Sequence, residues 1–352
     1  MKVRGIVIGA MLVAALVASA CGSKNGDGGS PISESWTLSP ATPVIGYKDF
    51  GGAVWNDPSV LYEGSMYRMW LSNGTGPSGV KIHEADSADG VTWNLAAPVG
   101  SPQIIPGPNA FDLVSVETPS IVKVGATYHL YYTAVPDNTF VNYSIGHATS
   151  PDGIAWTKDA TPVIAKPATP NEWGWLGVAE PGVTYANGTF YLYYAMVRCR
   201  EGWDGSTCTG PAPVVQRGIG LATSTDGTTF TPDPGNPIVL QSASYPASSL
   251  YEGYSTPNAL FVGGTFHLFY DVAQEVGGAF RQVAIAHATS TDGRTFSEVP
   301  NILVRNDWTS YELRSPAVVD VGGSLELFFA GNNGSDPTAL DFQIGIGRAV
   351  TP

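Results

Sequence analysis

The chain has few cysteines and few basic residues. Among its 352 residues are three cysteines, and 17 Lys and Arg stand against 30 Asp and Glu, for a formal net charge of −13. This acidic balance argues against nucleic acid and anionic lipid headgroups as partners. So few cysteines leave no second pair of ligands with the spacing of a structural zinc site. Glycine and proline are abundant, at 42 and 27 residues, which favours short strands and turns over long helices.

The N-terminus is typical of an export signal. Lys2 and Arg4 precede an apolar run, Ile6 to Val17, that is too short to favour a spanning helix over a signal peptide. The small residues ASA then lead to Cys21, which resembles a bacterial lipobox. We expect a lipoprotein signal over 1–21, lipidation at Cys21, a flexible tether over 22–34 and a folded domain over 35–352. The alternative is an ordinary cleaved signal peptide with an incidental cysteine.

The other two cysteines, Cys199 and Cys208, enclose a short loop, CREGWDGSTC. An exported protein meets oxidising conditions, so we expect a disulfide between them. Two free thiols are the alternative.

Two internal patterns recur in step along the chain. The first is a proline followed by an apolar strand, a glycine turn and an aromatic strand, as in ETPSIVKVGATYHLYYTA. Its five prolines are Pro58, Pro119, Pro181, Pro257 and Pro316. The second pattern is an Asp-Gly turn before an aromatic residue, as in ATSPDGIAW, and it occurs four times.

Together the patterns predict five units of four strands, an all-β five-bladed β-propeller. Strand one follows the proline, strand three ends in Ala-Thr-Ser, and strand four follows the Asp-Gly turn. The fifth unit lacks this last strand, and Trp36 in SWTLSPATPVI matches Trp93 and Trp156. We therefore expect the N-terminal strand to complete the last blade. The Asp-Gly turns loosely resemble the Asp-box of sialidases, and we interpret them as structural.

Acidic residues cluster beside three of the five prolines. Asp57 and Glu180 directly precede Pro58 and Pro181, and Glu117 lies two residues before Pro119. In a propeller these positions converge on one rim of the central channel. Carboxylates crowded there repel one another, so at least one should have a raised pKa. A protonated carboxyl paired with an ionised one is what glycosidic cleavage requires.

In these features the chain resembles the five-bladed propeller glycosidases, above all glycoside hydrolase family 43 with its arabinanases and xylosidases. It is also similar to a subgroup of predicted glycosidases. The resemblance implies that Asp57 in NDPSV is the general base. It implies that Glu180 in AEPGV shares the register of the residue that tunes the acid, and that Glu117 shares the register of the general acid, although in another blade. The family's acid usually lies in the fourth blade, where this sequence has Ser255-Thr256 and only Glu252 nearby.

We therefore expect an inverting hydrolase with Asp57 as base, Glu180 as acid and Glu117 as modulator, with the last two roles exchangeable. Trp55 and Trp175 are candidate platforms for sugar faces, and the alternative for each is packing under the link between blades. Glu252 and Arg314 are further candidate substrate ligands. The repeated histidines suggest packing, so no zinc site is assigned. No cofactor is required; some relatives hold calcium on the channel axis, and the sequence does not decide whether this protein does.

The function predicted is a glycoside hydrolase acting on polysaccharide or oligosaccharide at the cell surface or in the periplasm. The expected partners are the carbohydrate and, through the lipid anchor, the membrane, and we expect a monomer. A phosphorylase would need a basic phosphate pocket, for which Arg314 alone is thin support. The alternative from another class is a non-catalytic carbohydrate-binding or scaffold propeller.

Overall fold

The structure, a computed structural model, describes most of the chain after residue 35. The described residues are 36–38, 40–46, 49–51, 54–74, 79–96, 102–139, 141–205, 207–210, 215–240, 251–276, 279–304, 307–334 and 343–349. They all belong to one unit, Ser33–Pro352. The predicted signal segment, the lipidation of Cys21 and the tether lie outside the described residues and stay predictions. No described helix is long and apolar enough to cross a bilayer.

The described residues form strands and three short 3-10 helices. The 3-10 helices are Asp49–Gly51, Ala110–Asp112 and Asp307–Thr309. In chain order the strands are β1 (Trp36–Leu38), β2 (Trp55–Glu63), β3 (Met66–Asn73), β4 (Lys81–Ser87), β5 (Asn94–Leu95), β6 (Ser115–Val124), β7 (Thr127–Val135), β8 (Ser144–Ser150), β9 (Thr157–Lys158), β10 (Gly177–Ala186), β11 (Thr189–Cys199), β12 (Gly202–Trp203), β13 (Cys208–Thr209), β14 (Val215–Ser224), β15 (Thr231–Pro232), β16 (Tyr251–Val262), β17 (Thr265–Val276), β18 (Ala279–Ser290), β19 (Ser297–Val304), β20 (Glu312–Val321), β21 (Ser324–Asn332) and β22 (Gln343–Ala349).

The fold is all-β, and its strands pair into antiparallel groups of four. Two separate sheets have the orders β2-β3-β4-β5 and β6-β7-β8-β9. The groups β10-β11-β14-β15 and β16-β17-β18-β19 follow, joined by a short parallel pairing of Val215–Arg217 with Tyr251–Gly253. In the last sheet the first strand of the protein pairs with its last, in the order β1-β22-β21-β20. We refer to these groups as sheets one to five.

The second strand of each sheet shows why the sheets stack against one another. In β7, TYHLYYTAV, every residue after the first is buried, so both faces of the strand are covered. Successive side chains point to opposite faces. Leu130 and Tyr132 accordingly join the core cluster that contains Trp70 of sheet one, and Tyr131 joins the cluster that contains Leu192 of sheet three. The hydrophobic core thus lies between neighbouring sheets.

Aromatic residues beside the fourth strands carry much of this inter-sheet packing. Four of them meet an aromatic residue on the second strand of the preceding sheet, and Trp93 of sheet one meets Phe328 of sheet five. All five contacts are edge-on, a favoured geometry for aromatic pairs. The ring centroids are 5.6 to 6.4 Å apart and the interplanar angles are 80 to 89°. The pairs are Trp93 with Phe328, Trp156 with Trp70, Phe230 with Tyr131, Phe296 with Tyr193, and Trp36 with Phe269.

In each of the four Asp-Gly turns, side chains of the turn accept hydrogen bonds from its backbone N–H groups. In the third of them, Asp226 Oδ1 accepts the N–H groups of Thr228 and Thr229 at 2.8 and 2.7 Å. Ser224 Oγ accepts the N–H of Gly227 at 2.9 Å and donates to Asp226. The same bonds recur at Asp89, Asp152 and Asp292, which agrees with the structural interpretation of these turns.

The prediction that strand one begins at the proline is wrong. In all five sheets the first strand starts before the proline, which stands at a β-bulge inside it. In β2, for example, the pairing with β3 shifts register between Asn56 and Ser59, around Pro58. A bulge leaves the extra residue unpaired, which suits a residue without an N–H.

Candidate functional site

The five residues that precede the five prolines, here the station residues, share an unusual backbone conformation. Each has a positive φ, which for a residue with a side chain costs on the order of 1–3 kcal/mol and is concentrated at functional sites. Each also lies at a register shift, where a bulge can re-aim a side chain. The station residues are Asp57 (φ 50°), Thr118 (48°), Glu180 (57°), Thr256 (42°) and Ser315 (53°).

The station residues and their prolines line one small space, here the axial cavity. It has a volume of about 20 Å³, enough for a water molecule. Residues almost 260 positions apart in the sequence meet there: Ser315 Oγ donates to Asp57 Oδ1 at 2.6 Å. The axial cavity brings together two of the three predicted acids, Asp57 and Glu180.

Side chains on the second strands hold the station residues in this conformation. The N–H of Thr118 donates to Ser72 Oγ at 2.9 Å, and the N–H of Glu180 donates to Thr133 Oγ1 at 2.7 Å. In each case the acceptor belongs to the preceding sheet. A buried N–H needs such a partner, so these bonds offset part of the strain.

In sheet three the corresponding second-strand position is Ala195, which pairs with Ala179 and has no polar side chain. The next station residue finds another acceptor: the N–H of Thr256 donates to Glu180 Oε2 at 3.0 Å. Glu180 therefore serves the station backbone as well as facing the axial cavity.

Glu180 is also clamped by a cation. Arg217 Nη1, from β14, lies 3.1 Å from Glu180 Oε1 and 3.3 Å from Oε2. Hydrogen bonds from charged donors are stronger than neutral ones. The guanidinium and the Thr256 N–H both donate to the carboxylate of Glu180, so its side chain is fixed in position.

Asp57 is buried, and its neighbours act on its pKa in opposite directions. It is 7% exposed, and burial raises the pKa of its carboxyl, while Arg314 and the Ser315 hydroxyl act to lower it. Arg314 Nη2 is 3.8 Å from Asp57 Oδ1. The negative charge of Glu180 again acts to raise the pKa.

The pKa of the Glu117 carboxyl is strongly raised. Burial, and then the charges of Asp57 and Glu180, raise its pKa to about 8, and Arg314 opposes the rise. Unlike Glu180, its carboxyl has no hydrogen-bond or ion-pair partner within the described part of the chain. The charge of Glu117 in turn contributes to the raised pKa of Tyr143, after burial. At neutral pH, Glu117 is thus largely a protonated carboxylic acid.

Sequence reasoning missed Asp271, which lies fully buried on β17 opposite Ser255. Its carboxylate accepts the hydroxyls of Ser255 and Thr256, and its Oδ2 accepts the N–H of Ser315 at 3.3 Å. Sheet four thus carries its acid on strand two and not beside the proline. The available signal was an aspartate inside the apolar strand FHLFYDV.

One predicted ligand of the substrate is placed differently from expectation. Trp55 has no exposed surface: its indole Nε1 donates to the backbone oxygen of Asp49 at 2.9 Å, and it packs in the core. The prediction that Trp55 stacks on a sugar is therefore wrong. Glu252 lies on β16 in the parallel pairing with Gln216, and its side chain is outside the described part. Arg314, by contrast, faces Asp57 as a site residue.

The predicted disulfide between Cys199 and Cys208 is present. The enclosed hairpin pairs Trp203 with Cys208. Trp203 and Trp175 line a second cavity of about 510 Å³, here the tryptophan cavity. Trp175 is partly exposed there, as a sugar platform requires, so this candidate stays a prediction.

The paired histidines bond to each other inside the sheets. His129 Nδ1 is 3.1 Å from His147 Nε2, and His267 Nδ1 is 3.1 Å from His287 Nε2. Among the described residues, no three His, Cys, Asp or Glu are grouped so as to hold a metal ion. Calcium prefers six to eight oxygen ligands, whereas the two carboxylates of the axial cavity are already bonded to arginines or hydroxyls. The described residues therefore do not fit an axial calcium ion.

No protein-family model and no curated protein sequence matches the chain. Solved structures do match its fold. The structure of an RGII complex has a TM-score of 0.68 at 14% identity, covering 88% of this protein and 90% of that one. The endo-arabinase from Bacteroides thetaiotaomicron has a TM-score of 0.57 at 18% identity, covering 88% and 98%.

A third match is the catalytic domain of a GH62 α-L-arabinofuranosidase from Coprinopsis cinerea, with a TM-score of 0.60 at 14% identity. It covers 91% of this protein and 98% of that one. Nearly the whole length is shared in each case, so the similarity concerns the complete fold and not one sheet. The chain has the all-β fold found in these glycoside hydrolases.

Proposed function

We propose that the protein is an inverting glycoside hydrolase in which Glu117 is the general acid and Asp57 the general base. The observation that carries the proposal is the carboxyl of Glu117, whose pKa is raised to about 8 by burial and then by the charges of Asp57 and Glu180. Inverting hydrolysis needs one protonated and one ionised carboxyl flanking the scissile bond. Burial and like charges supply that division here.

In this mechanism Glu117 protonates the leaving-group oxygen while Asp57 takes a proton from the attacking water. Burial raises the pKa of Asp57, and Arg314 and the Ser315 hydroxyl oppose that rise by stabilising the ionised form that a base requires. Glu180 is held in place by Arg217 and the Thr256 N–H, and after burial and the charge of Asp57 its charge also raises the pKa of Glu117. This exchanges the roles first expected for Glu117 and Glu180, because both carboxylate oxygens of Glu180 already accept hydrogen bonds from Arg217 and the Thr256 N–H.

The proposal includes a closed ring of five blades. Its support is the set of five equivalent station residues around one cavity, and the series of aromatic pairs in which each sheet meets the preceding one. The pairing of β1 with β22 fits closure of the last blade by the N-terminal strand. Such a ring would gather the acids at one rim.

A carbohydrate substrate is supported by the matched structures, which are named for RGII, arabinan-cleaving and arabinofuranosidase proteins. We propose a polysaccharide or oligosaccharide substrate. We propose that this activity lies on the outer side of a bacterial membrane with the protein held by a lipid anchor, which the signal-like N-terminal sequence and Cys21 support.

The test is a screen of the protein on arabinan, xylan, mannan and aryl glycosides, with product configuration followed by NMR. Asp57→Asn should lower kcat about 10²–10⁴-fold on every substrate. Glu117→Gln should do so on polysaccharides but much less on dinitrophenyl glycosides, whose leaving group needs no protonation. The exposed Glu172→Gln is the matched control and should be unaffected.

Two outcomes would contradict the proposal. Retention of anomeric configuration would exclude the inverting scheme. Binding of a polysaccharide without turnover, equal in the wild type and in Asp57→Asn, would favour a non-catalytic carbohydrate-binding protein.

A further inference from the structure

The tryptophan cavity lies at the same end of the sheets as the acids. Its described lining comprises Thr139, Val141, Asn142, Lys166, Trp175, Leu176, Trp203 and Gly205. Leu176 directly precedes β10, which carries Glu180 four residues later. At about 3.3 Å per strand residue, the cavity begins about 13 Å from Glu180 along this strand. Tyr143, next to Asn142, pairs with Gly177, and the charge of Glu117 contributes to its raised pKa.

The aromatic walls of the cavity are fixed by the disulfide. Cys199, Cys208 and Leu176 form a small buried cluster, against which Trp175 and Trp203 pack. Trp203 is paired with Cys208 on the two-stranded hairpin. Each indole therefore has one side supported by the cluster and is still partly exposed. Rigid indoles with an open side are suited to stacking on a sugar ring.

One cation stands on the cavity wall. Lys166 Nζ donates to the backbone oxygen of Trp175 at 3.2 Å and lies 5.6 Å from the centre of its indole ring. An ammonium has three donors, and that hydrogen bond uses one of them. The ammonium has no ion-pair partner among the described residues, although the protein as a whole carries a net charge of −13.

Asp137, on the neighbouring loop, is hydrogen-bonded to groups of that loop. Asp137 accepts the N–H of Thr139 at 2.9 Å and the side-chain amide of Asn142 at 3.3 Å. The charge of Lys166 also lowers the pKa of Asp137, but it is the smallest of the causes. The carboxylate shapes the 137–142 loop, and Asp137 is not in the cavity lining. The cavity thus combines two indoles, neutral polar groups and one positive charge.

We propose that the tryptophan cavity is a binding subsite for a sugar residue that carries a carboxylate, a uronic acid, in the substrate. The ring stacks on Trp175 or Trp203, and its carboxylate meets Lys166. The inference rests on the proposed function only in that the protein binds carbohydrate. It narrows the substrate class to acidic oligosaccharides.

Binding is measured by calorimetry in the Asp57→Asn background, so that turnover cannot intervene. The acidic probe is trigalacturonate and the neutral probe is galactotriose. We expect trigalacturonate to bind more tightly, with an affinity that falls as salt rises. Lys166→Gln should lower the affinity for trigalacturonate about tenfold, because one charge-assisted hydrogen bond is lost. The affinity for galactotriose should not change. Lys166→Arg should restore most of the affinity.

Lys81→Gln, an exposed charge on β4, is the matched control and should change neither probe. Trp203→Ala should weaken both probes, and Trp203→Phe should keep most of the affinity. Equal binding of the two probes, no effect of Lys166→Gln, or no trigalacturonate binding at millimolar concentration would each overturn the inference. In those cases hydrolysis of neutral polysaccharides would still support the proposed function. If instead the protein bound trigalacturonate but hydrolysed no substrate, the proposed function would be wrong and the binding subsite would remain.

Discussion

At the scale of single residues, the division between Glu117 and Glu180 decides the chemistry. Both are glutamates near a proline, yet one carboxyl is bonded by Arg217 and a backbone N–H and the other is bonded by no described residue. The sequence pattern located both glutamates but could not show which of them is the general acid. Their ranking depends on Arg217 and Thr256, which only the packed sheets bring to Glu180.

The first prediction concerns the alkaline limb of the pH profile. Activity requires protonated Glu117, so kcat/KM should fall as pH rises through about 8. Glu180→Gln removes a negative charge that raises the pKa of Glu117. The alkaline limb should then move to lower pH, by about half to one unit. Asp86→Asn, outside the site, is the control. An unmoved limb in Glu180→Gln would show that Glu117 does not set it.

The second prediction assigns Asp271 a positioning role. It holds the N–H of Ser315, whose hydroxyl donates to Asp57. Asp271→Asn should disturb this series of bonds, weaken the Ser315 bond and raise the pKa of Asp57. The acid limb of kcat/KM should therefore move to higher pH, and Ser315→Ala should move it in the same direction. If Asp271→Asn lowered the unfolding temperature but left the acid limb of kcat/KM unchanged, Asp271 would have only a structural role.

Side-chain direction at the stations explains why Trp55 was misinterpreted. Trp55 lies two residues before Asp57, and regular alternation along a strand would place both on one face. The bulge and the positive φ of Asp57 break that alternation. Trp55 remains in the inter-sheet core while Asp57 turns into the axial cavity.

At the scale of elements, the repeats predicted most of the strands. Strand three ends at Ser87, Ser150, Ser224 and Ser290, as the Ala-Thr-Ser pattern indicated. These ends were predictable because local bonds within each Asp-Gly turn fix them. The starts of the first strands were not, because bonds from the preceding sheet set the bulges.

The third prediction tests one such turn. Ser224→Ala removes the acceptor for the buried N–H of Gly227 and should lower the free energy of unfolding by about 1–2 kcal/mol. For a protein of this size, thermal unfolding should shift by a few degrees. Thr228→Ala, exposed on the same turn, is the matched control. Activity at 25 °C should be unchanged, since the turn does not line the axial cavity; a loss of kcat without a loss of stability would contradict this.

At the scale of the whole molecule, packing five similar sheets together gathers residues distant in sequence and makes their charges interdependent. Asp57 and Glu180 both act on Glu117, and Arg314 acts against them. Placing a carboxyl among like charges and away from water destabilises its ionised form. The arrangement that suits catalysis should therefore reduce stability at alkaline pH.

The fourth prediction measures that reduction. Folded Glu117 has a pKa of about 8 against 4.5 when unaffected, so between these values the folded state binds more protons than the unfolded state. The wild type should lose stability relative to Glu117→Gln as pH rises from about 4.5 to 8, and the difference should level off above that range. At its largest the difference should be about 2 kcal/mol, allowing for the partial exposure of the carboxyl.

The measurement is urea unfolding of both proteins across this pH range, with Glu172→Gln as the control. Comparing matched variants cancels the contributions of the buried histidines, because these groups are common to both. A difference that stays constant with pH would mean that Glu117 titrates normally. The acid of the proposed mechanism would then have to be sought elsewhere, since no other described carboxyl near the axial cavity lacks a bonded partner.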